Sequence, residues 1–195
     1  MNPLLRFLLP IILFISSFVV ANPLKDISNY IEYAETSQGN GLGLYGSSGQ
    51  PTKDDISILS KAGYQRIIYI ALTTNETALA GEDELVLENG MQYLHVPVDF
   101  SKPTVDDFKA VANALQSQSD LKTLLHCQIN LRASTFSFLY RVIYKKVPIE
   151  DAKNDLDSIW VPNPTWFDFI KSTLAHYNMT HECDNCDWSE RDFDN

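Results

Sequence analysis

His126-Cys127-Gln128-Ile129-Asn130-Leu131-Arg132 joins two segments of different periodicity. Residues 122–126 form a short run that suits a strand, and residues 133–144 are apolar almost all round, as expected of a helix buried against a sheet. A strand ending in His-Cys, then four residues, then Arg at the head of a helix is an arrangement with chemical meaning. The helix N-terminus leaves backbone N–H groups unpaired and pointing forward, and its dipole favours negative charge there. Gln128, Ile129, Asn130 and Leu131 would then rim an anion cradle. The same field favours the thiolate of Cys127, and Arg132 can hold a tetrahedral oxyanion bidentately. His126 reads as a residue that packs and hydrogen-bonds beneath this loop rather than as a base. A cysteine at a strand end can also be a small buried hydrophobe. The strand before, the helix after, the His-Cys pair and an arginine otherwise stranded on an apolar helix together favour the cradle.

Working outward, residues 66–72 (Arg-Ile-Ile-Tyr-Ile-Ala-Leu) form a continuous β-branched and aromatic run suited to a strand covered on both faces. Residues 92–98 read as a second strand, with Pro97 near its end. Thr52 with Asp55, and Thr104 with Asp107, are capping pairs, and each precedes an amphipathic pattern. Residues 75–89, 149–156 and 164–177 predict further helices. Strands alternating with helices predict an α/β domain: a central, mostly parallel sheet with helices on both faces, in three layers. Leu24, Ile27, Tyr30, Ile31 and Ala34 lie at helical spacing, which predicts an N-terminal helix. Residues 38–49, with five glycines, read as a flexible or tightly turning connection.

The first two dozen of the 195 residues resemble an address. Arg6 supplies a positive start, residues 8–20 are largely apolar, and Val19-Val20-Ala21 is a small-residue cleavage site. A signal peptide over residues 1–21 is the expectation, and the apolar run is short for a bilayer span. The expected division is then 1–21 signal peptide, 22–41 N-terminal helix and Gly-rich connection, 42–177 the main domain and 178–195 an acidic, cysteine-containing tail. Export to the periplasm or outside the cell follows, without stable membrane insertion once the signal is removed. The formal charge of -10 becomes -11 when Arg6 is removed, so nucleic acid and anionic surfaces are excluded as general partners. Any anion site must be local.

The loop resembles a family. With Gly49-Gln50-Pro51-Thr52 upstream, Val96-Pro97-Val98-Asp99 between, and Ala133-Ser134 following, residues 126–134 are similar to the bacterial protein tyrosine phosphatase-like proteins, and more narrowly to the phosphatase-like domain of beta-lactamase-hydrolase-like proteins. The resemblance covers about residues 42–177. It implies a dual-specificity-phosphatase-like fold, Cys127 as nucleophile, Arg132 as phosphate clamp and Asp99 as general acid, acting on a small phosphorylated substrate or a phosphoprotein through a cysteinyl-phosphate. No cofactor is implied. Tyrosine phosphatases place five residues between Cys and Arg, whereas this chain has four, a length shared with rhodanese-type sulfurtransferases. A Cys127 persulfide is therefore the alternative chemistry, and a non-catalytic anion-binding module the alternative to an enzyme. Ala133 stands where a hydroxyl commonly follows the arginine, leaving Ser134 or Thr135 as substitutes.

Cys183-Asp184-Asn185-Cys186 near the end carries its own alternatives. Export favours a local disulfide. A zinc knuckle with His176 and His181 can be drawn, as can a reversible bridge to Cys127, but no metal is expected. The tail over residues 176–195, apart from its cysteines, reads as loosely held.

Overall fold

The fold is that of a computed structural model, which describes residues 22–33 and 45–189. The expected signal peptide, most of the Gly-rich connection and the last six residues lie outside the described residues. A five-stranded sheet runs in the order β1 (Ile31–Tyr33), β2 (Tyr45–Ser48), β5 (Thr123–His126), β3 (Arg66–Tyr69), β4 (Gln92–His95). All neighbours are parallel except β1, which pairs antiparallel with β2 at one edge. The helices among the described residues are α1 (Lys53–Lys61), α2 (Glu82–Glu88), α3 (Val105–Gln116), α4 (Leu131–Lys145), α5 (Ile149–Asp157) and α6 (Pro164–His176).

Two cores sandwich the sheet, as the alternation of side chains along β3 and β5 requires. Ile67 and Leu124 pack with Ile56, Leu59 and Val86 of α1 and α2. Ile68 and Leu125 face the larger core made by α3 to α6, around Phe108, Phe136, Leu139, Trp166 and Ile170. The mostly parallel sheet with helices on both faces is therefore as the strand and helix spacing implies. Both capping pairs form full capping boxes, Thr52 with Asp55 and Thr104 with Asp107, which fixes where α1 and α3 start.

Three expectations are corrected. The described residues 22–33 do not form the expected N-terminal helix; a 3-10 turn at Pro23–Asp26, capped by Asn22, leads into β1 instead. Tertiary pairing overrides the helical spacing here, because Tyr33 stacks on Tyr45 at 5.3 Å and its hydroxyl meets Ser47 Oγ at 2.8 Å. The Gly-rich stretch ends in an interior strand, β2, all four residues of which are buried. Gly46 is needed there because a Cβ would lie 2.5 Å from the Tyr64 hydroxyl. The tail up to residue 189 is packed rather than loose: the Trp188 ring stacks on Phe167 at 5.1 Å, meets Phe138 edge-on, and its Nε1 donates to His181 O. Buried Lys153 donates to Asp187 O at 2.6 Å, and Cys183 is disulfide-bonded to Cys186. Among the described residues no helix is long and apolar enough to cross a membrane.

Candidate active site

β5 delivers Cys127 to the C-terminal edge of the sheet, where open parallel sheets place ligands. The Cys127 amide continues the ladder by donating to Ser48 O at 3.2 Å. The thiol is free and 1% exposed. Beyond it, Gln50 N donates to Gln128 O at 2.8 Å, so the end of β2 carries the loop's first turn. Any side chain at Gly49 would force its neighbours to shift, because a Cβ would lie 2.7 Å from Ser28 Oγ and 2.9 Å from Gln128 O.

The chain then reverses through Asn130, whose φ of 72° is left-handed. Asparagine tolerates this backbone better than other side-chain-bearing residues do. Its side chain is fully buried, and Nδ2 donates to Asn29 O at 2.6 Å while Asn29 Nδ2 returns a bond to Ile129 O at 2.9 Å. This reciprocal clasp locks the loop to the turn before β1. Asn130 makes no capping bond to α4. The first amides of that helix therefore have no side-chain acceptor from its cap residue, which is the condition for an anion to take that place.

Arg132 lies in the first turn of α4 and is 3% exposed. Its Nη1 donates to Val98 O at 3.0 Å and its Nη2 to Gln128 Oε1 at 2.8 Å, while Nε has no hydrogen-bond partner. The guanidinium sits over the Phe100 ring, 5.5 Å from its centroid. Phe100 is fixed in turn by Trp166, whose Nε1 donates to Phe100 O at 3.0 Å. Cys127, Gln128, Ile129, Leu131, Arg132 and Phe100 line a cavity of about 150 Å³. Ile129 stands at its mouth, 52% exposed.

Asp99 precedes Phe100 and is exposed. Its carboxylate accepts from the Ser101 amide and hydroxyl, both at 2.8 Å. Those two bonds, aided by the nearby positive charges of Arg132 and Lys102, hold its acid strength above the ordinary, with the pKa lowered. The hydroxyls after the arginine are committed elsewhere: Ser134 Oγ and Thr135 Oγ1 both donate to Leu131 O, at 3.2 and 2.9 Å. Ser134, expected to support the loop, acts within α4 in this arrangement.

His126 is fully buried, as expected, but neither ring nitrogen makes the expected hydrogen bond, because the ring is held by stacking on Tyr69, and its surroundings hold what sequence reasoning missed. Ser48, His126, Tyr69 and His95 share one register row across the sheet. The rings pile along it, His126 on Tyr69 at 4.7 Å and Tyr69 on His95 at 5.1 Å. Glu82, the first residue of α2, is buried at 3% exposure and brings Oε1 to 3.2 Å from His126 Nε2. That approach lacks hydrogen-bond geometry, so it is an electrostatic contact when the imidazole is protonated. The same oxygen accepts from Gln50 Nε2 at 2.8 Å, which ties α2 to the residue that carries the loop. Nothing in the sequence separates Glu82 from its acidic neighbours Asp83 and Glu84. The disulfide commits Cys183 and Cys186 to each other, which removes both thiolates from a zinc knuckle and leaves Cys127 free, and no group of metal-ligating residues occurs among the described residues.

No protein-family model matches the chain, and no curated protein matches it. Solved structures do. The chain is similar to a candidate phosphatase of the DUF442 group from Shewanella putrefaciens CN-32, with 27% identity, a TM-score of 0.67, and coverage of 80% of this chain and 97% of that one. It is similar in fold to Tk-PTP in its active form (15% identity, TM-score 0.57, 66% and 90% covered). Kinase-associated phosphatase gives 17% identity and a TM-score of 0.60, with 76% and 95% covered. The chain thus has the fold of the protein tyrosine phosphatase-like proteins, as its cysteine loop suggests.

Proposed function

We propose that this protein tyrosine phosphatase-like chain is a cysteine-dependent hydrolase of phosphomonoesters. One observation carries the reading: a free cysteine at a strand end and a buried arginine from the next helix line one cavity at an uncapped helix N-terminus. The likeness to a candidate phosphatase at 27% identity supports it. In the proposed cycle the Cys127 thiolate attacks phosphorus, an S–P bond forms and the bond to the leaving oxygen breaks. Arg132 and the first amides of α4 balance the charge on the equatorial oxygens. Water then attacks the cysteinyl-phosphate, releasing phosphate and regenerating the thiolate. Asp99 is assigned as the acid that protonates the leaving oxygen and then takes the proton of the water. In the turn with Ser101 it is held ionised, so this role requires that turn to open.

Para-nitrophenyl phosphate turnover by the purified chain, compared with Cys127→Ser, tests the proposal. Turnover should vanish in the variant; equal rates would sink covalent catalysis. The four-residue spacing supports a second reading, sulfur transfer through a Cys127 persulfide. It predicts thiosulfate-to-cyanide transfer faster than phosphate release, and a mass gain of one sulfur on Cys127.

We also propose export, on the leader-like residues 1–21 and on the Cys183–Cys186 disulfide, which suits an oxidising compartment. Finding the chain in the reducing cytoplasm at full length, by fractionation and mass spectrometry, would overturn it.

A further inference from the structure

The guanidinium assigned to hold phosphate is already occupied by the chain itself. Arg132 Nη2 donates to Gln128 Oε1 at 2.8 Å, and the other end of that carboxamide, Nε2, donates to Thr77 Oγ1 at 3.3 Å. Thr77 belongs to the segment between β3 and α2, outside the loop. The carboxamide therefore ties Arg132, which lines the Cys127 cavity, to Thr77, which lines the neighbouring cavity with Gln50 and Gln128. The Gln128 backbone, by contrast, is pinned by the bond from Gln50 N to Gln128 O. Only the side chain is free to change position. Arg132 Nη1 is held by Val98 O, and Nε is buried without a partner. A tetrahedral oxyanion is held most strongly by two donors of the guanidinium side by side, and Nη2 is spent on an amide oxygen.

We propose that Gln128 is an internal gate: its carboxamide oxygen stands in for a substrate oxygen on Arg132, and must rotate off before an oxyanion can bind. This rests on the reading of the loop as an oxyanion cradle. An amide oxygen is a weaker acceptor for guanidinium than a phosphate oxygen, so the gate yields to the anion at a cost in affinity. Thr77 latches the far end. Gln128 thereby sets the concentration of phosphate or phosphomonoester at which the site fills, and favours ligands whose charge is sufficient to displace an amide.

Inorganic phosphate, measured by titration calorimetry on the full chain, tests this. Gln128→Met keeps the bulk of the side chain and removes the acceptor, so it should bind phosphate about tenfold more tightly than wild type, the scale of one hydrogen bond to a charged group. Thr77→Val, which releases only the latch, should move affinity the same way by less. Gln128→Glu should lose phosphate binding, since a carboxylate on Arg132 is not displaced. Equal or weaker binding by Gln128→Met, with wild type still binding, overturns the gate and leaves the cradle standing. If neither wild type nor Gln128→Met binds phosphate, the cradle reading falls and the gate with it. Unchanged circular dichroism and urea midpoints establish that each variant is folded.

Discussion

Asn130 is the residue on which the loop's shape depends most. It supplies a left-handed backbone and a buried bond to Asn29 O together. Alanine loses both and glycine only the second. Asn130→Ala should therefore destabilise the chain by about 2 kcal/mol, and Asn130→Gly by roughly half as much. Urea denaturation of the two variants checks the order, and a smaller loss for alanine would contradict it. Asp99 makes a pH-dependent contribution. Its folded pKa lies below the ordinary 3.8, so its stabilisation is complete above that value and is lost as pH falls through the lower folded one. In acid titrations of stability, Asp99→Asn should fall less steeply than wild type below about pH 4. Parallel curves would show that the turn with Ser101 contributes nothing.

Among the elements, β2 positions the site more than its composition suggests. Tyr45, Gly46, Ser47 and Ser48 contain no apolar run, and their burial comes from neighbours on every side: β1, β5, the Tyr64 hydroxyl above Gly46, and Ser137 of α4, 2.6 Å from the Tyr45 hydroxyl. Gly49, just after the strand, is where this packing meets the loop. Gly49→Ala should cost about 1–3 kcal/mol by pushing Ser28 or Gln128 away. It should also slow alkylation of Cys127 or speed it measurably; an unchanged rate with iodoacetamide would mean that the loop ignores β2. The same contrast shows what the sequence could tell. β3, β5, α4 and the two capped helices were legible because each has a local cause, whether a β-branched run, an apolar stripe or a capping box. β1, β2 and Glu82 were not, because their burial is decided by partners distant in the chain. The cysteine and arginine were legible as a pair, but the clasp of Asn29 on Asn130 joins residues 101 apart.

For the molecule as a whole, stability at the end of the chain depends on packing more than on the crosslink. The disulfide closes a separation of only 3 residues, so its effect on the unfolded chain is small, about 2 kcal/mol at most. Trp188 bridges Phe138 of α4 and Phe167 of α6 and sits over the Lys153 ammonium at 4.5 Å. Trp188→Ala should cost about 3 kcal/mol, more than reduction does. Urea denaturation with and without reductant measures both, and a larger loss on reduction would mean that the bond holds the tail. At the other end of the chain, the turn and strand at residues 28–33 bear on how the protein can be divided. A fragment cut at residue 42, where the family resemblance begins, would strip β1 from β2 and leave a buried glycine-serine strand as a bare sheet edge. Such a fragment invites self-association at the margin nearest the cysteine. The smallest autonomous unit therefore begins before β1, because residues 31–33 complete the sheet margin beside the strand that carries Cys127.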